Sequence, residues 1–343
     1  MAMTSKERVI NMITGKPLDK VPASTGFGNV IVAGLEKYNL RFAHVHLDAQ
    51  EMADAAAATV EIVGIESPIV PFDMGVLAEA LGARLNTYAH SEDLLYPTMR
   101  DKFVQTADDI VVPTDMANAG RIPLVCEAIQ ILKKRFGDDY PVGSWILGPF
   151  TLASQVWDLN DLLKSSAKDP AKVEAILSKL TDALILEAQA YIDAGADFIT
   201  LREMGATSDV LSPRMFKKTV KQWSAKIIAA LDIPKVYHIC GGTDMIVEDM
   251  ASIGADAVSV DVKNDVAATR EKLGPDAVIL GNIHPYDVFT AGTPEMVRTE
   301  VQKAIDGGVD SVWPGCDIWP ATDVENLKIW VEMVQNMEPR RKA

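Results

Sequence analysis

Eight short apolar runs, separated by longer amphipathic stretches, are the feature that most limits how this 343-residue chain can fold. Each run is almost continuously apolar, as in parallel strands covered on both faces, and most are followed by a segment with helical periodicity. The predicted strands are residues 21–25, 67–72, 142–147, 197–201, 235–239, 257–260, 277–281 and 311–313. Eight such units predict an α/β fold, a (β/α)8 TIM barrel, with a doubly wound open sheet as the alternative.

The segments between the strands carry recognisable end signals. Ser212 and Thr293 are each followed by proline, a pattern typical of an N-cap and the first helical residue, and Gly195 falls where a helix would stop. Residues 81–99 alternate in polarity, which predicts a hairpin inserted after the second strand. No long Gly/Ser/Pro linker interrupts the chain, so we expect one domain over residues 1–343 with an N-terminal helical lead-in.

Composition argues against nucleic acids and anionic membranes as partners. Asp and Glu outnumber Lys and Arg by 48 to 33, which gives a net charge of −15, and the basic residues are dispersed. Nucleic acids and anionic membranes need a basic footprint, so neither is an expected partner. We find no apolar stretch long enough to span a bilayer. Three cysteines without a paired framework or a signal sequence predict a reducing, cytoplasmic location.

Unusual polar residues collect at the carboxyl ends of the predicted strands, where TIM-barrel enzymes place their active sites. The amino ends carry mostly Asp, Gly or Ala turn residues instead. The residues at the carboxyl ends are Ser24, Thr25, Asp73, Glu203, His238, Cys240, Asp261, Asn282, His284, Cys316 and Asp317. This asymmetry predicts that the functional site lies at that rim.

His238, Cys240 and Cys316 are the strongest candidates for chemistry. His238 and Cys240 are two residues apart at the end of one strand and would face the same side. Cys316 ends the eighth strand, which a barrel mouth can bring close to the fifth. Two thiolates and an imidazole suit zinc, and three protein ligands leave one position open, so we predict a catalytic zinc. The alternatives are buried thiols beside a hydrogen-bonded histidine, or a Cys240–Cys316 disulfide.

Two carboxylates are candidates for a catalytic role beside this metal. Asp261 ends the sixth predicted strand and could occupy the fourth zinc position, where its charge would keep a bound sulfur electron-rich. Glu203, at the end of the fourth, is the rival for that role. The structural alternative for both is a rim salt bridge or a helix cap, and Arg202 beside Glu203 makes the salt bridge reasonable.

Three other features carry weaker signals. Gly26-Phe27-Gly28 lacks the third glycine of a dinucleotide-binding loop and is interpreted as a mobile loop over the barrel mouth. His44 and His46 are expected in a solvated loop. Cys126 lies in an amphipathic segment and is expected to pack at the core boundary.

At these residues the chain resembles the uroporphyrinogen decarboxylase superfamily, and specifically its methylcobamide:coenzyme M methyltransferase branch from methanogenic archaea. The resemblance runs nearly end to end. The runs that carry it are Ser5-Lys6-Glu7-Arg8-Val9, Pro71-Phe72-Asp73, His238-Ile239-Cys240-Gly241-Gly242, Gly281-Asn282-Ile283-His284-Pro285 and Gly315-Cys316.

The resemblance implies a function. In the methyltransferase branch the residues matching His238, Cys240 and Cys316 bind zinc, and zinc binds the thiol of coenzyme M. A methylated corrinoid protein would donate the methyl group, forming methyl-coenzyme M in methanogenesis from methanol or methylamines. Asp73 matches the key aspartate of the decarboxylases, which implies substrate binding. A similar zinc and thiol pattern in cobalamin-independent methionine synthase implies that the acidic fourth ligand falls near Asp261.

Other functions stay open. A metal-free decarboxylase of a polycarboxylate is one alternative, although residues 23–29 lack the arginines with which decarboxylases hold porphyrin carboxylates. Methyl transfer to another thiol such as homocysteine is a second. A non-catalytic corrinoid- or metal-binding protein with structural zinc is a third.

Overall fold

The computed structural model describes residues 2–137 and 139–342. Its main sheet has seven parallel strands, and each strand pairs with the next one of that sheet along the chain. Two further strands form a separate antiparallel pair. In chain order the strands are β1 (Ile69–Val70), β2 (Leu85–Asn86), β3 (Thr98–Met99), β4 (Gly143–Leu147), β5 (Phe198–Arg202), β6 (Lys235–Ile239), β7 (Ala257–Val260), β8 (Ile279–Ile283) and β9 (Ser311–Pro314).

Helices alternate with the strands of the main sheet and cover it. For example, α8 packs on β4, and α13 packs on β8 and β9. The α-helices are α1 (Ser5–Ile13), α2 (Val32–Tyr38), α3 (Ala49–Ala58), α4 (Val76–Ala80), α5 (Ile122–Phe136), α6 (Pro149–Val156), α7 (Leu159–Lys168), α8 (Pro170–Asp193), α9 (Pro213–Met215), α10 (Lys221–Ala230), α11 (Val247–Ala251), α12 (Val266–Leu273), α13 (Pro294–Gly307) and α14 (Val324–Gln335). This alternation confirms the predicted α/β barrel class.

The first predicted strand, residues 21–25, differs from the prediction. The segment is extended and buried but forms no strand of the sheet. Its bonds run through side chains on both sides: Ser67 Oγ accepts from Thr25 N at 3.0 Å, and Ser311 Oγ donates to the Pro22 carbonyl at 3.2 Å. One backbone bond, from Glu66 N to the Ala23 carbonyl, measures 2.7 Å.

The prediction that residues 21–25 form a strand of the sheet is therefore wrong. The segment nevertheless lies where the eighth strand of the barrel would lie, between β1 and β9. Pro22 has no N–H to donate to a ladder. The hydroxyls of Ser67, just before β1, and of Ser311, in β9, take the place of backbone partners. The barrel thus consists of seven ladder strands and one irregular extended segment.

The two predicted additions to the barrel, the N-terminal lead-in helix and the inserted hairpin, are both present. The lead-in helix α1 begins with a capping box in which the Thr4 hydroxyl and the Glu7 carboxylate each accept a backbone N–H from the other residue. The hairpin β2–β3 follows the first sheet strand, and Leu85 pairs with Met99. Ser212 and Thr293 cap their helices through their hydroxyls, as expected. Within residues 2–137 and 139–342, no helix combines the length and apolar character needed to cross a membrane.

Candidate metal centre

His238, Cys240 and Cys316 converge at the carboxyl end of the barrel. His238 Nε2 lies 2.9 Å from Cys240 Sγ, and Cys240 Sγ lies 3.2 Å from Cys316 Sγ. His238 belongs to β6, Cys240 follows that strand, and Cys316 follows β9. The histidine is fully buried, whereas the two thiols are half-buried. Residues 76 positions apart in the chain thus form one cluster, which faces the barrel mouth.

The imidazole of His238 is held in one orientation and is neutral. Its Nδ1 lies 3.0 Å from Ser259 Oγ and 3.2 Å from the Ser259 carbonyl, and the ring of Phe27 packs edge-on at 4.6 Å. Burial, together with the nearby charge of Arg202, lowers the pKa of His238 to about 3. A neutral imidazole anchored through Nδ1 presents Nε2 to the thiols, as a metal ligand requires.

The two thiols are free and interact with each other. Their 3.2 Å separation is much longer than the roughly 2.05 Å of a disulfide bond, so the disulfide alternative is not what the structure holds. Cys240 donates its S–H to Cys316. This hydrogen bond raises the pKa of Cys240 and lowers the pKa of Cys316. Cys316 is therefore the thiol that ionises first.

The donor set suits zinc, but its present spacing is tighter than a zinc site. Across the described parts of the chain, no three His, Cys, Asp or Glu side chains form a ready-made metal-binding group. Tetrahedral zinc with bonds of about 2.3 Å would hold its two sulfurs about 3.8 Å apart. The observed 3.2 Å would have to widen by about 0.6 Å, and the shared proton would have to leave. The widening is a small side-chain adjustment.

Asp261 lies next to this cluster. It follows β7, the strand that pairs with β6, and a Cβ built on Gly315 would stand 3.3 Å from the Asp261 Cα. Its carboxylate accepts from the Lys263 backbone N–H at 3.0 Å and is bonded to neither thiol. The backbone therefore places Asp261 beside the turn that carries Cys316.

Glu203 does not lie with the cluster. Its carboxylate accepts from Phe150 N at 3.0 Å and from the N–H and hydroxyl of Thr151 at 2.7 and 2.5 Å, so it caps α6. Burial raises the pKa of Glu203 to about 7. Side chains alternate along a strand, so Arg202 faces the barrel interior and Glu203 the surrounding helices. The structure thus matches the helix-cap alternative for Glu203.

Arg202 is the functional candidate that the sequence reasoning missed. Its side chain is buried and packs against the rings of Trp145 and Phe27, with its guanidinium carbon 4.5 and 4.8 Å from their centres. Nη2 lies 2.6 Å from Asp317 Oδ2 and 3.9 Å from Cys316 Sγ. Burial alone would lower the pKa of Arg202, but Asp317 and the neighbouring thiols raise it. A charged residue closing the apolar run of β5 was the available signal.

Asp73 lies in a second buried cluster. Both of its oxygens accept from Arg121, at 2.8 and 3.0 Å, and His46 Nδ1 stands 3.3 Å away. Burial alone would raise the pKa of Asp73, but His46 and Arg121 together lower it. The carboxylate is therefore ionised and already engaged. Its predicted substrate-binding role stays a prediction.

The expectation of a solvated loop is wrong for His46. Its ring is fully buried and packs edge-on against Phe42 at 5.1 Å and Tyr96 at 5.5 Å. Tyr96 belongs to the connection between β2 and β3, so the inserted hairpin covers this segment. Cys126 is partly buried on α5 against the core, as expected.

The expectation of a mobile loop at Gly26-Phe27-Gly28 is also wrong, because all three residues are buried. A Cβ on Gly26 would lie 2.4 Å from Thr200 Oγ1, and one on Gly28 would lie 2.0 Å from the Pro71 carbonyl. Only glycine allows this close approach. The loop fills the barrel interior and brings Phe27 against His238.

Comparisons with known proteins show what the whole chain is similar to. The model of the family described as Uroporphyrinogen decarboxylase (URO-D) matches residues 4–337. A methylcobamide:CoM methyltransferase, MtaA, of Methanosarcina barkeri is 33% identical over 96% of both chains. A methylcobamide:CoM methyltransferase, MtbA, of Methanosarcina acetivorans is 29% identical over 97% of this chain and 98% of that one.

A solved structure is similar as well. A methyltransferase from Methanosarcina mazei superposes with a TM-score of 0.92 and is 31% identical. The match covers 97% of this chain and 99% of that one. The similarity therefore extends over the whole barrel, including the lead-in helix and the inserted hairpin.

Proposed function

This chain belongs to the uroporphyrinogen decarboxylase family, and we propose that it transfers a methyl group from a methylated corrinoid protein to the thiol of coenzyme M. The observation that carries this proposal is the convergence of His238, Cys240 and Cys316 at the barrel mouth, within 2.9 and 3.2 Å of one another through Cys240. The relatives named as methylcobamide:CoM methyltransferases support it.

His238, Cys240 and Cys316 would hold Zn²⁺, with Asp261 as the fourth ligand before the thiol binds. When bound, the metal lowers the pKa of a coordinated thiol, so that coenzyme M is a thiolate near neutral pH. His238 contributes a neutral donor that Ser259 keeps in place. Asp261 and the substrate sulfur would compete for the same fourth position.

The transfer itself is a substitution at carbon. The coenzyme M thiolate attacks the methyl group, the new S–C bond forms, and the Co–C bond breaks with its electron pair left on cobalt. Phe27 packs against His238 and Arg202 and excludes water from the inner side of the cluster. A dry site favours the thiolate as a nucleophile, since water would otherwise solvate it.

The structure gives no comparable support for a metal-free decarboxylase. Such an enzyme would need Asp73 and basic residues free to hold a polycarboxylate. Asp73 is instead fully buried and bonded through both oxygens to Arg121. Residues 23–29 contain no arginine.

The corrinoid would arrive on a partner protein at the barrel mouth. Three residues on the segments after β6, β8 and β9 are exposed: Met245, Tyr286 and Trp319, at 70, 47 and 54%. Exposed apolar and aromatic side chains at one rim are typical of an interaction surface. Two thiol ligands also favour a reducing compartment, so a cytoplasmic location forms part of the proposal.

The test is a methyl-transfer assay with zinc-loaded protein, methylcobalamin as the donor and coenzyme M as the acceptor. We expect methyl-coenzyme M to form together with Co(I), and Cys316→Ser to lower the rate at least 100-fold. A zinc-loaded protein that transfers no methyl group to any thiol would overturn the proposal. A clear preference for homocysteine would keep the mechanism and replace the acceptor.

A further inference from the structure

Arg202 is a buried cation whose hydrogen-bonding capacity is only partly used. Its side chain is 1% exposed. The carboxylate of Asp317 bonds to Nη2 alone, and the other contacts of that nitrogen are with the sulfurs of Met204, at 3.6 Å, and Cys316, at 3.9 Å. Nε is buried and has no hydrogen-bond partner among the residues that the structure describes. A buried guanidinium with an unused donor costs free energy unless a ligand satisfies it.

The surroundings of Arg202 contain further unused hydrogen-bond donors. Within residues 2–137 and 139–342, Thr200 Oγ1 and Trp313 Nε1 are buried without hydrogen-bond partners, and both side chains border Gly26, next to Phe27. Asp317 is the acidic group paired with Arg202, and its side chain is 40% exposed, so it reaches the guanidinium from the solvent side. A small anion entering the mouth would approach along that same side.

We propose that Arg202 is the anion-binding residue of the acceptor site, and that it takes the sulfonate of the incoming thiol in exchange for Asp317. This inference rests on the proposed function, since it deepens the description of the same site. It identifies the ligand class as a short thiol whose anionic group stands two carbons from the sulfur.

The distances favour this assignment. Nη2 of Arg202 is already 3.9 Å from one candidate metal ligand, the Sγ of Cys316. A thiol bound at the open metal position therefore has its sulfur close to the guanidinium, and a two-carbon linker lets the sulfonate reach it. The rings of Trp145 and Phe27 pack against the guanidinium, whose N–H groups donate in its own plane.

The test compares two thiols of equal length, coenzyme M and uncharged 2-mercaptoethanol, by calorimetric titration of zinc-loaded protein. We expect Arg202→Gln to weaken coenzyme M binding by roughly 10- to 100-fold while 2-mercaptoethanol binding changes less than threefold. Equal losses for both thiols would overturn the inference, because Arg202 would then act on the metal site rather than on the sulfonate. If the wild-type protein binds neither thiol, the proposed function itself fails.

Two further variants complete the test: Asp317→Asn probes the exchange even if the Arg202 variant misfolds, and Lys263→Gln is a charge control. Asp317→Asn removes the competing carboxylate at a half-exposed position, and we expect it to tighten coenzyme M binding several-fold with no effect on 2-mercaptoethanol. Unchanged or weaker coenzyme M binding in this variant contradicts the exchange. Lys263→Gln is the control for general loss of positive charge at the mouth, because Lys263 is 59% exposed and pairs with Asp209. Its two thiol affinities should keep the wild-type ratio.

A metal-independent readout uses ethanesulfonate, which has the anionic group and no thiol. Titrated directly, ethanesulfonate should bind the wild-type protein and lose at least tenfold in affinity in Arg202→Gln. Equal ethanesulfonate affinity in both proteins would place the sulfonate elsewhere.

Discussion

Arg202 and His238 are register partners on the neighbouring strands β5 and β6, so a buried cation and a buried imidazole lie side by side. The imidazole stays neutral in this position, because burial and the adjacent charge both oppose its protonation. One pair of residues thus links the candidate metal centre to the proposed anion site. The consequences can be tested one group at a time.

Ser259 orients His238, a candidate metal ligand, without being a candidate ligand itself. Ser259→Ala removes the hydroxyl that lies 3.0 Å from His238 Nδ1 but keeps the backbone carbonyl at 3.2 Å. We therefore expect zinc affinity to fall by no more than about tenfold, measured by competition with a chelator. Ser224→Ala is the matched control, because Ser224 contacts Tyr237 instead. Loss of all zinc in Ser259→Ala, or the same loss in the control, would contradict this role.

Substitutions of Glu203 and Asp261 should affect different properties: the stability of the fold for Glu203, and zinc binding for Asp261. Glu203→Gln disturbs the cap of α6, so we expect the free energy of unfolding to fall by about 1–2 kcal/mol with zinc content unchanged. Asp261→Asn should leave the unfolding free energy nearly unchanged and weaken zinc in the absence of thiol. Denaturant unfolding and metal analysis of both variants decide the matter. Zinc loss in Glu203→Gln alone would restore Glu203 as the metal-site carboxylate.

The variant Gly28→Ala tests whether the buried loop of residues 26–28 follows the path described above. A Cβ at this position would lie 2.0 Å from the Pro71 carbonyl, so Gly28→Ala must displace backbone. We expect a loss of about 2–3 kcal/mol in the free energy of unfolding. Gly242→Ala is the control, because its Cβ would meet nothing nearer than 3.9 Å. A stable Gly28→Ala protein would show that the loop does not thread the barrel in this way.

Glu187 should give the stability a distinct pH dependence. Burial raises the pKa of Glu187 to about 8, whereas an unfolded glutamate titrates near about 4.3. Between these values the folded state holds a proton that the unfolded state has lost, so stability falls as pH rises, by on the order of 4–5 kcal/mol in all.

The variant Glu187→Gln should remove this slope. The measurement is the free energy of unfolding at pH 5 and pH 8.5 for wild type, Glu187→Gln and the control Glu174→Gln, which changes an exposed residue of the same helix. Equal pH dependence in all three proteins would mean that Glu187 is ionised in the folded state.

Sequence periodicity was sufficient to predict the parts of the site that depend on strand order. His238 and Cys240 share a face because they are two residues apart, and Cys316 joins them because it ends the last strand. The same alternation accounts for the position of Glu203, since Arg202 ends β5 facing inward and the next residue, Glu203, faces outward. Strand order predicted that this carboxylate lies at the rim but did not specify which face it would take.

Other features depended on contacts that the sequence pattern does not specify. Residues 21–25 complete the barrel through serine hydroxyls of distant strands, which no local propensity indicates. His46 is buried because the inserted hairpin brings Tyr96 over it. The glycines at 26 and 28 look like a flexible loop until the positions of Thr200 and Pro71 are known.

The most direct test of the central claim is X-ray absorption at the zinc edge, recorded with and without coenzyme M. We expect one zinc per chain with two sulfur neighbours from Cys240 and Cys316, and a third sulfur after the thiol is added. A carefully prepared protein without zinc, or a sulfur count that the thiol leaves unchanged, would contradict thiol activation at this site.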